Sequence, residues 1–210
     1  MITAHSGSDG FKDNSMEFIE AMLNANVEAF EIDCQLAEDG TLYLSHDEMA
    51  DYADCVLLKD VFQQMKTSQN QTTLINIDCK NGAIGPLAVE LAQAFDLVDR
   101  IVLSGGLVIE DYEPSFRPQL FYNFENSWDY SQTFDHEVFV RVLSDIYARG
   151  VRVVQFYYGF VTPEIVEIIH HFNVNISVWT VNDLSTIDIY LNMGVYNVTS
   201  RSALAYLGVA

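Results

Sequence analysis

Residues 29–34, AFEIDC, and residues 74–79, LINIDC, are two short apolar stretches that carry acidic residues near their ends. Their content of Ile, Leu and Phe predicts buried β-strands. Side chains alternate between the two faces of a strand, so Glu31 and Asp33 lie on the same face. Two unpaired carboxylates are costly to bury together, and a bound cation would remove that cost.

Similar apolar stretches recur along the chain and alternate with helical patterns. Strands are predicted over 1–5, 29–34, 74–79, 100–104, 118–122, 152–156, 175–179 and 195–199. Helices are predicted near 15–26, 59–66, 84–95, 137–149, 162–172 and 184–192, with a loop or a broken short helix over 105–117. Eight strands joined by helices predict an α/β fold of the (β/α)8 TIM-barrel type, with residues 1–210 as a single domain. A doubly wound open sheet is the structural alternative, but its glycine-rich phosphate fingerprints are absent from the sequence.

One further stretch, residues 41–46, interrupts this alternation. Glu38-Asp39-Gly40 separates it from the extended segment 29–36, and an Asp-Gly pair between two extended segments is a strong signal for a β-hairpin. The sequence therefore predicts an extra hairpin strand near the C-terminal mouth of the barrel, which carries His46 back toward the other polar residues.

The chain is strongly acidic, with 30 Asp and Glu against 10 Lys and Arg and a formal net charge of −20. Nucleic-acid binding and adsorption to anionic membranes are disfavoured, because both need clustered positive charge. No apolar run approaches the roughly 20 residues of a membrane span, and no secretion signal is evident. Cys34, Cys55 and Cys79 predict buried thiols in a reducing compartment. We therefore expect a cytoplasmic protein without stable membrane insertion.

In a (β/α)8 barrel, functional groups collect at the C-terminal ends of the strands. His5 ends the first predicted strand, Asp78 and Lys80 end the strand over 74–79, and Trp179 ends the strand over 175–179. One rim can therefore gather two histidines and several carboxylates. Such a set suits metal-assisted acid–base chemistry on a phosphate ester.

Several of these residues belong to short motifs that follow one another in a fixed order. The motifs are His5-Ser6-Gly7, Glu31-Ile32-Asp33, Asp39-Gly40, His46-Asp47, Ile77-Asp78-Cys79-Lys80 and Val178-Trp179-Thr180-Val181-Asn182. In this order they resemble the glycerophosphodiester phosphodiesterase family, whose pattern begins with His-Arg-Gly, Glu-x-Asp, an Asp-Gly turn and His-Asp. The resemblance covers nearly the whole chain and implies a (β/α)8 barrel, in agreement with the strand count.

The resemblance also implies a metal site and two catalytic residues. Glu31, Asp33 and Asp78 would bind a divalent cation, and ligands that are all oxygen favour Mg²⁺ or Ca²⁺ over zinc. His5 and His46 would act as general base and general acid, because imidazole titrates near neutral pH.

The remaining matches concern the substrate. Lys80 would contact the phosphate as a point charge, although it is equally expected to pair with the neighbouring carboxylates. Trp179 would line the mouth of the barrel, although it could instead belong to the barrel core.

The chain departs from the family pattern at two positions. Ser6 stands where the family has an Arg that can grip phosphate, and Asp78 stands where the family usually has the longer Glu. Both changes weaken phosphate and metal binding in principle. Lys12, in the loop after the first strand, and Arg201, after the last strand, are candidates to replace the missing positive charge.

The resemblance implies a small-molecule substrate and metal-dependent hydrolysis of a glycerophosphodiester to glycerol 3-phosphate and an alcohol. The alternative is a non-catalytic barrel that binds metal and phosphate, and a ring-closing phosphodiesterase is a third possibility. The sequence leaves open the headgroup, the physiological cation, the oligomeric state, and whether water or a substrate hydroxyl attacks.

Overall fold

Eight parallel strands form a nearly closed barrel in the computed structural model, which describes residues 1–209. In chain order the strands, including one antiparallel addition, are β1 (Ile2–Ala4), β2 (Ala29–Leu36), β3 (Leu42–Leu44), β4 (Leu74–Cys79), β5 (Ile101–Gly105), β6 (Phe121–Asn123), β7 (Val153–Tyr157), β8 (Asn175–Trp179) and β9 (Asn197–Ser200). Neighbours follow the order β5-β4-β2-β1-β9-β8-β7-β6, and a parallel bridge between Leu103 and Leu120 links the two ends of this path. The predicted (β/α)8 barrel is confirmed, and the open-sheet alternative is excluded.

The extra strand β3 forms the predicted hairpin with β2. It is antiparallel to the last residues of β2, with Cys34 opposite Leu44 and Leu36 opposite Leu42. The turn uses Gly40 at a φ of +87°, a backbone conformation that glycine adopts without steric cost. β3 pairs only with the outer end of β2, so β2 extends two residues beyond the 29–34 of the strand pattern and ends at residue 36, as the hairpin prediction has it.

The helices lie between the strands, and most begin at a capping side chain. They are α1 (Met16–Asn24), α2 (Leu58–Thr67), α3 (Ile84–Ala94), α4 (His136–Ala148), α5 (Pro163–His171), α6 (Leu184–Asn192) and α7 (Ala203–Leu207). Ser15, Thr162 and Asp183 each accept a hydrogen bond from the backbone N–H three residues later, as their positions at the starts of the predicted helices indicate. Helix α7 was not predicted, because five residues are too short to show a helical period.

No regular helix follows β5, in agreement with the prediction for residues 105–117. Two 3₁₀ turns, Ile109–Asp111 and Arg117–Gln119, occupy this connection. Tyr112 and Phe116 are buried there with their rings stacked 5.8 Å apart. These two aromatic side chains therefore cover the barrel where a helix would otherwise pack.

A chain of buried polar side chains crosses the interior of the barrel. Thr3 donates to Asn197 at 2.9 Å, and Asn197 donates to Ser177 at 2.9 Å. Ser177 donates to Gln155 at 3.0 Å, and Gln155 donates to Asn123 at 3.1 Å. The chain joins five neighbouring strands, from β1 through β9, β8 and β7 to β6. It therefore satisfies polar groups that would be costly to bury alone.

The cysteines largely follow the prediction. Cys34 and Cys79 are buried free thiols, whereas Cys55 is only partly buried because it lies in the loop that follows β3. The prediction of a buried thiol is therefore wrong for Cys55. Within residues 1–209, no helix combines the length and the apolar character needed to cross a bilayer.

Candidate active site

A cavity of about 300 Å³ opens at the C-terminal ends of the barrel strands. It is small for a ligand pocket, for which ~300–1,000 Å³ is typical. Its lining brings together seven of the residues that the sequence singled out with four that it did not: His5, Glu31, Asp33, His46, Asp78, Lys80 and Trp179, and then Asn123, Glu125, Gln155 and Thr180.

Three carboxylates converge on one side of this cavity. The parallel strands β2 and β4 pair with Asp33 opposite Asp78, while Glu31 shares the face of Asp33. One oxygen from each of Glu31, Asp33 and Asp78 lies within 4.8 Å of the other two. The shorter side chain at position 78 thus still brings its carboxylate into the group.

The neighbouring backbone makes room for this group. Gly105, the last residue of β5, has a φ of +86°, and a Cβ atom there would lie 2.5 Å from Oδ1 of Asp78. Any other residue would collide with the Asp78 carboxylate. Ser104 on the same strand donates to the same oxygen at 3.4 Å.

Lys80 lies between two of the three carboxylates. Its Nζ atom is 2.5 Å from Oδ1 of Asp33 and 2.5 Å from Oδ2 of Asp78. Burial alone would lower the pKa of Lys80, but the charges of Asp78 and Asp33 raise it above its ordinary value. The predicted pairing with the neighbouring carboxylates is therefore present, and Lys80 carries a full positive charge beside the cavity.

Asp33 is held in its ionised form. Burial opposes ionisation, but hydrogen bonds from Lys80 and Asn14 outweigh it and hold the pKa of Asp33 below its usual range. Asn14 donates to Oδ2 of Asp33 at 2.8 Å and accepts from its backbone N–H at 2.9 Å. Ser6 is fully buried and accepts from the backbone N–H of Asn14 at 2.7 Å. Ser6 thus supports a ligand candidate indirectly.

The pKa of Glu31 is shifted in the opposite direction from that of Asp33. Burial, followed by the negative charges of Asp78 and Asp33, raises the pKa of Glu31 well above its ordinary value. A divalent cation would relieve this repulsion and restore the ionised form. Carboxylate oxygens are the preferred ligands of Mg²⁺ and Ca²⁺, so the donor set fits such an ion.

His5 follows β1 and lies at the cavity with its ring mostly buried. Its Nδ1 atom is 2.9 Å from the carbonyl oxygen of Ser6. A carbonyl oxygen only accepts, so Nδ1 carries the proton and Nε2 of the neutral ring is left with a lone pair. Burial lowers the pKa of His5, although the bond to Ser6 opposes the shift. The ring is therefore in the form that accepts a proton.

His46 lies just beyond β3, at the outer rim of the cavity. Its backbone carbonyl accepts from the side chain of Gln35 on β2 at 3.1 Å, which fixes the loop. The ring donates from Nδ1 to Asp47 at 2.8 Å, and 73% of the side chain is exposed. The hairpin thus brings His46 to the same cavity as His5, but into a much more solvated environment.

Lys12 and Arg201 are not among the residues that line the cavity in the described part of the chain. Lys12 is exposed, and the guanidinium of Arg201 donates to Asp13 at 2.7 Å. Arg201 is nevertheless close enough for its charge to lower the pKa of both His5 and Glu31.

Four lining residues escaped the sequence analysis: Asn123, Glu125, Gln155 and Thr180. Asn123 and Gln155 are uncharged and belong to no motif, whereas Thr180 lies in the motif of residues 178–182, in which only Trp179 was assigned a role. Glu125 was missed because the predicted strand ended at residue 122, and Glu125 lies in the short turn that follows the strand. The position of these residues at or just after strand ends was the available signal.

Comparison of the sequence with protein-family models finds no match, and comparison with curated proteins finds none either. Comparison with solved structures finds many similar folds. A glycerophosphodiester phosphodiesterase from Parabacteroides distasonis is 16% identical with a TM-score of 0.76, covering 99% of this chain and 95% of that one. The corresponding enzyme from Thermotoga maritima is 18% identical with a TM-score of 0.73, covering 100% and 97%.

A phosphodiesterase from Oleispira antarctica, solved in complex with the product sn-glycerol-3-phosphate, is 15% identical with a TM-score of 0.68 and covers 100% of this chain and 96% of that one. These similarities extend over the full length of both partners. The chain therefore has the fold of glycerophosphodiester phosphodiesterases, as the sequence motifs implied.

Proposed function

We propose that this chain is a metal-dependent phosphodiesterase that hydrolyses a glycerophosphodiester to glycerol 3-phosphate and an alcohol. The observation that carries the proposal is the single cavity in which three clustered carboxylates face two histidines. The shared fold and the glycerol-3-phosphate product bound by the Oleispira antarctica protein support it.

Glu31, Asp33 and Asp78 are the proposed ligands of a divalent cation, Mg²⁺ or Ca²⁺. When bound, such an ion supplies positive charge that polarises a phosphoryl oxygen and offsets negative charge developing on the phosphate. Asn14 and Gly105 keep the ligands in place, the first by its bonds to Asp33 and the second by leaving room for Asp78.

His5 is the proposed general base. Its Nε2 lone pair is available because Nδ1 donates to Ser6, and its lowered pKa keeps the ring neutral near pH 7. His46 is the proposed general acid, which protonates the departing alcohol oxygen. Its solvated position allows it to regain a proton from water after each turnover.

The phosphate is proposed to meet Lys80, whose ammonium is held at the cavity by Asp33 and Asp78. Trp179 lines the same cavity and would contact the substrate beside it. Lys12 and Arg201 are proposed to add positive charge in place of the family's Arg at position 6. Arg201 is the better supported of the two, because its charge already acts on His5 and Glu31.

The whole chain is proposed to act as one domain on a small-molecule substrate. Its three free thiols favour the reducing cytoplasm as its location.

The proposal is tested by incubating the purified protein with glycerophosphocholine and with bis(p-nitrophenyl) phosphate in Mg²⁺, Ca²⁺ or EDTA. We expect metal-dependent release of product, abolished in H5N and H46N and reduced at least tenfold in D33N. Absence of turnover with any cation, together with intact cation binding, would favour the non-catalytic barrel. A cyclic phosphate seen by phosphorus NMR would instead identify ring closure by a substrate hydroxyl.

The variants K12M and R201M test separately whether Lys12 or Arg201 supplies the additional positive charge. Unchanged turnover in both variants would remove that part of the proposal.

A further inference from the structure

The part of the mouth formed by the ends of β6, β7 and β8 has its own character. Glu125 follows β6, Tyr157 ends β7 and Trp179 ends β8, and these three strands are neighbours in the barrel. Glu125 and Trp179 line the cavity. Tyr157 is 46% exposed, and its ring lies edge-on to that of Trp179 at 6.2 Å between centroids. A carboxylate and two aromatic rings thus occupy one stretch of rim.

The Glu125 carboxylate is anchored from below. It accepts a hydrogen bond from the side chain of Asn123 at 3.2 Å, and Asn123 is fixed in turn by Gln155. Asn123 and Gln155 are buried and form the end of the polar chain that crosses the barrel. Glu125 is therefore the exposed end of a rigid, fully bonded network.

The substrate's own charge is the one that the cavity leaves unbalanced. Four carboxylates line it, those of Glu31, Asp33, Asp78 and Glu125, together with the ammonium of Lys80 and the ring of His46. Lys80, the proposed divalent ion and the proton that His46 carries as general acid would balance the four carboxylates. A phosphodiester then adds a negative charge of its own, which a neutral or anionic alcohol group would leave without a partner.

We propose that the rim formed by Glu125, Tyr157 and Trp179 selects phosphodiesters whose alcohol carries a positively charged ammonium group. This inference rests on the proposed function for its substrate class. A carboxylate attracts such a group directly, and the negative face of a tryptophan or tyrosine ring attracts it through the ring quadrupole. The ammonium also offsets the negative charge that the phosphodiester brings into the cavity. Glu125 acts here as a specificity-determining residue and takes no part in bond cleavage.

Binding tests the inference without any need for turnover. Choline and its uncharged isostere, in which a tert-butyl group replaces the trimethylammonium group, are titrated into the full chain by calorimetry, with and without Mg²⁺. We expect the protein to bind choline at least about tenfold more tightly than the isostere, and E125Q to lose that difference. E20Q, which removes an exposed carboxylate from α1 away from the mouth, serves as the matched control and should bind choline as the unaltered protein does. Equal binding of choline and isostere by the unaltered protein, or unchanged discrimination in E125Q, would overturn the inference.

Hydrolysis supplies a second readout. The ratio of kcat/KM for glycerophosphocholine to kcat/KM for glycerophosphoglycerol should exceed one in the unaltered protein and fall about tenfold in E125Q, chiefly through KM. A ratio that does not respond to E125Q overturns the inference and leaves the proposed function intact. Selective choline binding without hydrolysis of either diester has the reverse meaning, because it supports the cation-binding rim and contradicts the proposed activity.

Discussion

The side chain of Asn14 bonds Asp33 at two points, donating to its carboxylate at 2.8 Å and accepting from its backbone N–H at 2.9 Å. Asn14 reaches this position with a φ of +55°, in the left-handed region that asparagine tolerates better than most residues. Because these bonds fix both the strand and the carboxylate, Asn14 controls the direction in which a ligand candidate points.

We therefore expect N14G to weaken divalent-cation binding about 10-fold or more, as measured by calorimetric titration of Mg²⁺ and Ca²⁺. Glycine keeps the left-handed backbone without steric cost, so the variant removes the amide and little else. N26G is the matched control, because Asn26 has a φ of +52° and its side chain bonds only the nearby Asn24 carbonyl. Equal cation affinity in N14G and N26G would show that Asn14 does not position the ligand.

The repulsion around Glu31 predicts a pH effect on stability in the absence of metal. The pKa of Glu31 is raised by burial and by Asp78 and Asp33, so the folded chain keeps a proton that the unfolded chain releases near its ordinary value of 4.5. The folded state binds more protons in this range, and the free energy of unfolding therefore falls as pH rises through it.

We expect E31Q in EDTA to lose this part of the pH dependence and to be more stable than the unaltered protein at neutral pH, as measured by urea unfolding. Added Mg²⁺ should stabilise the unaltered protein and have little effect on E31Q. The exposed substitution E20Q should keep the original slope. A slope that is the same in all three proteins would rule out ionisation of Glu31 as its source.

The lowered pKa of His5 predicts the acid limb of the activity profile. Burial favours the neutral ring, so His5 keeps its accepting lone pair at pH values where an ordinary histidine of pKa 6.5 is protonated. A bound cation nearby would lower the pKa further. The logarithm of kcat/KM in Mg²⁺ should therefore begin to fall only below pH 6.5. An acid limb at or above that pH would be incompatible with His5 as the base.

Much of the fold was predictable because strands and helices of the barrel carry strong apolar periods and recognisable caps. The strand over 74–79 and the helix over 184–192 were predicted with the bounds that the structure shows. The strand pattern alone gave β2 as 29–34, whereas the hairpin signal gave its first arm as 29–36, as in the structure. Residues 35–36 are extended through their pairing with β3, a long-range interaction that a local pattern does not report.

The residues of the candidate site also fall into those that the sequence revealed and those that only the fold revealed. His5, Glu31 and Asp33 were found because charged or titratable residues at strand ends are conspicuous. Asn14 and Gln155 were not identified as site residues because an amide gives no such signal. Their roles depend on partners 19 and 32 residues away in the sequence, which only the folded barrel brings into contact.

The three thiols should differ sharply in reactivity. Burial raises the pKa of Cys34 to about 12 and also raises that of Cys79, so neither forms a thiolate near neutral pH. Cys55 is partly exposed in a loop. Titration with Ellman's reagent should therefore detect one thiol in the native protein and three in denaturant, and C55S should show none in the native state. Native reaction of a second thiol would mean that the barrel opens around β2 and β4.

The polar chain inside the barrel makes Gln155 important for both stability and selectivity. Q155M keeps most of the volume but leaves Asn123 without the donor that fixes it and Ser177 without its acceptor. We expect a loss of about 2–3 kcal/mol in the free energy of unfolding, measured with urea, because buried polar groups lose their partners. Q132M is a suitable control because Gln132 is exposed.

The release of Asn123 also frees the Glu125 carboxylate, which Asn123 holds at 3.2 Å. Discrimination between choline and its uncharged isostere should therefore decrease in Q155M at a temperature where the variant is still folded. A purely structural role would lower stability and leave that discrimination unchanged. A loss of stability no greater than in Q132M would instead show that internal water or neighbouring hydroxyls replace the hydrogen bonds of Gln155. The buried polar side chains inside the barrel would then contribute little to the rigidity of the rim.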